Sequence, residues 1–357
     1  MRFAMQDSPD SSGLVFSAAD DASPARVAVV AEIGVNHDGD ADVARWLIDA
    51  AAQAGADAVK FQYFRPDRLL SNQAELANYQ KGKAASQRDL LERLAMPIET
   101  LGGLVEHAHG LGLSAVVTPF SPADPAELAG LGLDAIKTAS PDAVNLPLLE
   151  ACAGLGLPML ISTGTCGLDE LGPAAALLRG HPQGGALLHC VSSYPTPMDE
   201  SQLGGIGAMA DVLNVAVGYS DHTPGLATGA LAAMAGAVVV EKHLTHDRSA
   251  DGPDHAASLD PEQIKTYVAN VREAQAALGV RAKRVTEIER DVRRVSRQSV
   301  CVVRDLEVGH VLAAGDLTVK RPGTGVPAAD LGLLVGRRLA RGVSANDLLM
   351  PGDLASS

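Results

Sequence analysis

Two histidines stand just past consecutive apolar β-type runs. Val215–Ser220 leads through Asp221 to His222, and Val238–Val240 leads through Glu241 and Lys242 to His243. A helical stretch over roughly residues 225 to 235 lies between the runs. Parallel strands joined by a helix bring their carboxyl ends side by side. Two imidazoles delivered to one edge of a sheet can share a divalent metal, with the remaining positions open to water and a substrate oxygen. Imidazole with oxygen donors suits Mn²⁺, with Zn²⁺, Co²⁺, Fe²⁺ or Mg²⁺ as alternatives. A lone buried histidine is more often a hydrogen-bonded core residue, so the pairing carries the argument. His37, His189, His246 and His255 lack such a partner and are weaker candidates.

A second chemistry is written in the lysines. Lys60 and Lys137 interrupt apolar runs, Ala58–Gln62 and Ala135–Thr138, where an ammonium without a partner is costly. One reading is a structural ion pair in the mouth of a barrel. The other is an anion site, in which both lysines and the hydroxyls of Thr118, Ser140, Ser162 and Ser220 hold a phosphate and a carboxylate. Gly164, in Ser162–Thr165, permits close backbone approach. Glu32, Asp221, Glu241 and Asp254 are the candidate carboxylates, able to position a hydroxyl-rich substrate or act as a base on water. Asp221 can instead orient its neighbour His222.

The elements that must position these groups recur along the chain. Short apolar runs alternate with helical stretches at Val27–Glu32, Ala58–Gln62, Ser114–Thr118, Ala135–Thr138, Pro158–Ser162, Ala186–Cys190, Ala216–Ser220 and Val238–His243. Eight βα units predict a closed (β/α)8 TIM barrel over residues 27–280, an α/β fold whose active site lies at the carboxyl ends of the strands. Every one of the eight ends carries polar chemistry; Gln62 accompanies Lys60 on the second, and Ser192 and Tyr194 follow the sixth. Helix signals fall between the runs, as in Asp40–Ala54 closed by Gly55 and Asn145–Leu155 with Pro147 in its first turn. The segment from Arg65 to Pro97 is long for a βα loop and is expected to cover part of the site.

Outside that stretch the composition shifts. Residues 1–26, rich in Asp, Ser and Ala, read as a disordered lead-in. Residues 281–294 are charge-dense without an apolar stripe and read as a linker. From Val295 to Ser357 short β-type runs with turn residues form a small module, in which Val311–Leu317 is echoed by Leu348–Leu354. Cys152, Cys166, Cys190 and Cys301 show neither zinc-ribbon nor disulfide spacing, which points to a reduced cytoplasm. A net charge of −14 argues against a nucleic-acid partner, and no apolar run reaches membrane-spanning length.

In this order the motifs resemble the sialic acid synthases. They are Ala31–His37, Gly55–Gln62, Thr118–Phe120, Ile136–Ser140, Ile161–Gly164, Leu188–Pro197, Gly218–Thr223, Glu241–His243 and Gly252–Asp254, with Val319–Gly323 resembling that family's antifreeze-like (SAF) domain. The resemblance covers about residues 27–357 and implies condensation of phosphoenolpyruvate with an N-acylated hexosamine. It implies that His222 and His243 bind the metal and that Lys60, Thr118, Lys137, Ser140, Ser162 and Ser220 hold phosphoenolpyruvate. Gln62, Tyr194 and Asp254 would contact the sugar, with Glu32 near the reacting centre. At Ser192 many bacterial members carry a longer polar residue, which weakens its assignment to phosphoenolpyruvate. The resemblance also implies a homodimer in which Arg321 of one subunit reaches the sugar in the barrel of the other. Tyr79–Gln80 and Ser86–Leu91 look more like sialic or legionaminic than pseudaminic acid synthases. Two alternatives stand beside this reading. One is condensation with a sugar phosphate, which needs a further cationic site; the other is a catalytically silent carbohydrate-binding protein.

Overall fold

The computed structural model describes residues 3–6, 15–18, 26–71, 73, 86–280 and 282–355. The chain divides into two compact units, Met1–Arg281 and Ala282–Ser357.

The first unit is built on eight parallel strands: β3 (Ala28–Glu32), β4 (Ala58–Tyr63), β5 (Ser114–Pro119), β6 (Ala135–Thr138), β7 (Met159–Ser162), β8 (Gly185–Cys190), β9 (Ala216–Asp221) and β10 (Val239–His243). They close in sequence order, with β10 pairing β3. Each strand matches an expected apolar run to within a residue at either end. Both faces of such strands are buried, so they read as nearly unbroken apolar runs. Ala28, Val30, Val116, Leu160, Leu188 and Val239 fill the interior, while the alternate residues pack outward under the helices.

Local signals explain the helices. Ala41–Ala54 starts at Asp40, whose carboxylate accepts from the Asp42 and Val43 amides, and stops at Gly55 in the left-handed region (φ 80°). Leu146–Ala153 is capped by Asn145, and the helix after β9 is Thr228–Met234. Within the long segment after β4 lie the short helices Pro66–Leu69 and Gln87–Leu94. Tyr79 and Gln80 fall outside the described residues.

Two expectations are corrected. The lead-in read as disordered contains an antiparallel ribbon, β1 (Phe3–Gln6) paired with β2 (Val15–Ala18). Each of these segments holds a phenylalanine and no charge, a local β signal that the surrounding Asp/Ser bias hid. The charged stretch read as a linker without a stripe is also ordered: a 3-10 turn, Glu287–Glu289, runs into the helix Arg290–Ser296. It does carry an apolar stripe, Val285, Ile288, Val292 and Val295, all exposed and spaced by three, four and three. Pairs three residues apart, Arg290–Glu287 and Arg294–Asp291, crowd that stripe and mask it in the sequence.

The second unit packs Val300, Val302, Leu312, Leu317, Leu339 and Leu349 around the antiparallel pair β11 (Ser299–Val302) and β12 (Leu317–Lys320). Its sequence echo is a structural repeat. Asp316 accepts from the Ala313 amide and pairs with Arg304, while Asp353 accepts from the Met350 amide and pairs with Arg341.

Candidate active site

Strand alternation assembles the site. The inward positions of each barrel strand are apolar low in the barrel and turn polar at the carboxyl end. Those last inward residues are Glu32, Lys60, Gln62, Thr118, Lys137, Ser162, Cys190, Ser220, Glu241 and His243, with His222 one step past β9. They open into a cavity of about 740 Å³. Lys60, Gln62, Thr118, Lys137, Ser140, Ser162, Ser192, Tyr194, Ser220, His222, Glu241, His243 and Asp254 all line it, so most of the expected site residues meet in one place. Glu32 lies beneath, fully buried behind Lys60 and Gln62. Arg321 lies in the second unit, exposed one residue past β12.

Each lysine faces a carboxylate. Lys60 Nζ is 2.6 Å from Glu32 Oε2 and 3.2 Å from Thr118 Oγ1. Lys137 Nζ is 3.4 Å from Glu241 Oε2, whose other oxygen accepts from Ser220 Oγ at 3.1 Å. Gln62 donates to Glu32 Oε1 at 2.7 Å. Burial pushes the Glu32 carboxyl up to about 7, outweighing the pull of Lys60. Burial works against the Lys60 ammonium too, but the charges of Glu32 and Glu241 overcome it and hold that pKa above the ordinary lysine range. Within this pair Glu32 is therefore the group that titrates near neutrality. Burial lowers Lys137, with Glu241 only partly compensating. Burial also lifts Asp254 to about 6, against the charges of His222 and Lys60.

The histidine rings stand with centroids 5.3 Å apart. His222 Nδ1 lies 2.9 Å from the Val191 carbonyl, which makes it the donor there and leaves Nε2 as the nitrogen a metal would take. Burial works against its charge, but Cys190 and that carbonyl outweigh it and raise its pKa, so a metal would bind in place of a proton. His243 is buried, and its Nδ1, 3.5 Å from Asp254 Oδ2, has no hydrogen-bond partner among the described residues. Burial and the neighbouring His222 hold it in the neutral form that ligates metals. An orphaned imidazole nitrogen, a second imidazole oriented through its carbonyl bond and Asp254 beside them suit a divalent ion. Among the described residues no cluster of three or more His, Cys, Asp or Glu could hold one, so the chain offers a pair with open positions. The Tyr194 ring sits 4.0 Å from that of His222.

The weaker histidine candidates are engaged elsewhere. His37 accepts from the Gly39 amide. His189 stacks on Tyr219 and bonds the Ser201 carbonyl. His246 and His255 flank Asp38. One site residue escaped the sequence reading: Cys190, inward at the end of β8, accepts from Ser140 Oγ at 3.4 Å and lies 3.7 Å from His222 Nδ1. The period of two along Ala186, Leu188 and Cys190 was its only signal. The long segment after β4 lines part of the site, as expected of it, and does so with an apolar wall that was not read from the sequence: Leu69, Leu70, Leu90, Leu91 and Leu94.

Gly164 is a steric necessity of the hydroxyl cluster. A methyl group there would lie 2.3 Å from Ser192 Oγ and 2.8 Å from Ser140 Oγ. Gly164→Ala is expected to displace both serines and raise the KM of the anionic substrate roughly tenfold, the ~1.4 kcal/mol of about one hydrogen bond, with an unchanged melting temperature. Steady-state kinetics and a thermal melt check it.

A family model described as the NeuB family matches residues 47–283, and an SAF domain model matches residues 297–355. The N,N'-diacetyllegionaminic acid synthase of Legionella pneumophila is 38% identical over 330 residues, covering 90% of this chain and 93% of that protein. The protein of the same name from Campylobacter jejuni is 34% identical over 327 residues, covering 90% and 98%. The crystal structure of a putative spore coat polysaccharide biosynthesis protein E from Chromobacterium violaceum superposes with a TM-score of 0.80 at 26% identity, covering 93% of this chain and all of that one. The chain belongs to the NeuB family of sialic-type acid synthases, phosphoenolpyruvate-dependent enzymes that form nonulosonic acids.

Proposed function

We propose that this enzyme condenses phosphoenolpyruvate with the open-chain form of an N-acylated hexosamine, a 2,4-diacetamido hexose or N-acetylmannosamine, in a Mn²⁺-dependent reaction. The observation that carries this reading is the division of one cavity. Lys60, Lys137 and the hydroxyls of Thr118, Ser140, Ser162 and Ser220 gather in it with the pair His222 and His243. The two legionaminic acid synthases among its relatives favour the diacetamido acceptor. The cavity has no lysine or arginine beyond Lys60 and Lys137 among the described residues, and leucines line its wall. A sugar phosphate would need a further cation there, and the one cation this reading brings in, Arg321 of a second copy, is assigned to the acyl group.

His222 and His243 would hold the ion, with Asp254 beside them. Bound there, it would act as a Lewis acid on the acceptor aldehyde. Lys60 and Lys137 neutralise the phosphate and carboxylate of phosphoenolpyruvate, and the serine and threonine hydroxyls fix their orientation. The methylene carbon attacks the aldehyde carbon, and positive charge develops at C2. The C=O π pair moves to the aldehyde oxygen, which ends as a hydroxyl with a proton that the added water replaces. Water adds at C2, and the C2–O bond breaks to release phosphate. Glu241 and Asp254 line the cavity, while Glu32 beneath it would take the water's proton by way of Lys60, its partner at 2.6 Å. Gln62, Tyr194 and Asp254 contact the sugar.

The assay that tests this reading is phosphate release from phosphoenolpyruvate with a panel of aldoses, each with and without Mn²⁺. Release with N-acyl hexosamines supports the proposal, whereas release only with sugar phosphates favours the other acceptor class. The role of Glu32 has its own readout. With its pKa near 7, Glu32 is protonated below that value and a base above it. We expect log kcat to rise with unit slope below about pH 7 and level off above it, and that limb to disappear in Glu32→Gln.

A homodimer in which Arg321 of one copy serves the barrel of the other completes the proposal. Lys137→Met and Arg321→Ala, each inactive alone, would then complement when mixed. About a quarter of native activity is expected, because half the dimers are mixed and each mixed dimer has one intact site. No recovery would place Arg321 outside the partner's site.

A further inference from the structure

We propose that the buried pair Asp221–Lys242 is a positioning element that holds His222 and His243 at their mutual separation. The inference rests on the reading of those histidines as a metal pair. Asp221 and Lys242 are direct neighbours in the β9–β10 register. Both are fully buried, with Lys242 Nζ 3.3 Å from Asp221 Oδ1. By strand alternation both side chains point outward, away from the cavity, while His222 and His243, one residue further on, point in.

A buried ion pair contributes little net stability compared with a well-packed apolar pair, so stability alone does not account for it. Its connections do. Lys242 Nζ also donates to the Thr223 carbonyl. Asp221 Oδ1 accepts from the Thr223 amide and hydroxyl, each at 2.8 Å. One ammonium, on the residue preceding His243, thereby grips both residues that flank His222. The chain can move neither histidine along its strand without breaking this knot.

The knot is closed from outside. Tyr267, on the helix Pro261–Leu278, donates its hydroxyl to Asp221 Oδ2 at 3.0 Å, and the ammonium lies 5.6 Å from its ring centroid. Thr223 Oγ1 is held 2.7 Å from Thr228 Oγ1. Gly229 makes room for the tyrosine, since a methyl group there would come within 2.4 Å of its hydroxyl and Cζ. Among the described residues, the polar groups facing the pair thus come from β9, where Tyr219 bonds Asp221, from β10, from the turn after β9 and from two helices. Arg248, after β10, opposes the ammonium, and none of these groups lines the cavity.

The test is Mn²⁺ affinity of the full-length protein, read from the electron paramagnetic resonance signal of free Mn²⁺ and set beside thermal melts. The neutral, near-isosteric double variant Asp221→Asn/Lys242→Met is expected to fold and to bind Mn²⁺ at least about tenfold more weakly, the range seen when groups that orient metal ligands are removed. Tyr267→Phe, which removes one hydroxyl and keeps the pair, is expected to weaken binding roughly threefold. Native affinity in both variants would overturn the proposal and leave the metal pair intact. If the double variant fails to fold, Tyr267→Phe decides alone, and unchanged binding overturns the proposal. Failure of the native protein itself to bind Mn²⁺ would remove the metal reading and this inference with it.

Discussion

His222→Ala and His243→Ala are each expected to lower turnover about 10³-fold or more and to abolish any response to added Mn²⁺. The size follows from the several kcal/mol that a Lewis acid supplies, at ~1.4 kcal/mol per tenfold in rate. The structure makes the expectation specific to chemistry. His243 Nδ1 has no hydrogen-bond partner among the described residues, so replacing His243 strands little of the protein's own hydrogen bonding. His222 loses its bond to the Val191 carbonyl and its weaker contact with Cys190 Sγ, a cost of about 1–2 kcal/mol. Both variants should therefore melt within a few degrees of the native protein. Native-like turnover that EDTA leaves unchanged would remove the metal from the mechanism.

Lys137→Met is expected to reduce kcat/KM for phosphoenolpyruvate about 10³-fold, comparable to losing one preorganised donor to a developing charge. Burial already lowers the pKa of this ammonium, so its charge is costly to keep where it is. An approaching dianion would repay that cost. Met fills nearly the same volume, and Glu241 keeps the Ser220 hydroxyl and the nearby charge of Lys60. Lys60→Met should differ in one respect. Glu32 would lose its counter-ion at 2.6 Å, yet its carboxyl already sits near 7 and can stay neutral by keeping its proton. The folded state then binds a proton that the unfolded chain releases near 4.5. Native Glu32 shares that loss from about 4.5, so stability of this variant relative to the native protein should be level up to about 7. It should fall above that value, where only the native carboxyl ionises against Lys60, and level off above the variant's own higher folded pKa. Initial rates over a phosphoenolpyruvate series and melts from pH 5 to about 9 check both expectations.

The barrel was legible because parallel strands buried on both faces leave apolar runs that few other folds produce, and Lys60, Lys137, Glu241 and His243 break those runs at their ends. Gly55, Asp40 and Asn145 marked helix ends through local bonds that sequence displays directly. What depends on contacts between distant segments was not legible. Asp221 read either as a site carboxylate or as an orienter of His222; the period of two turns it outward, away from the first role, and its partner Tyr267, 46 residues away, was not in the sequence reading. Cys190 was weighed only for zinc-ribbon and disulfide spacing, and only barrel closure sets it beside Ser140 and His222. The leucine wall stayed hidden because Leu69 and Leu94 belong to a segment whose neighbours are fixed by tertiary packing. Ile288 and Val292 were masked by the arginines and acids around them.

The central claim is that phosphoenolpyruvate and an N-acyl hexosamine join here with loss of phosphate by C–O cleavage. The measurement that tests it most directly is the mass of phosphate released from phosphoenolpyruvate carrying ¹⁸O in its C2–O–P bridge, in the presence of a 2,4-diacetamido hexose and Mn²⁺. The account predicts acceptor-dependent release in which the phosphate retains the ¹⁸O. Phosphate free of the label, or release at the same rate without the sugar, would contradict it.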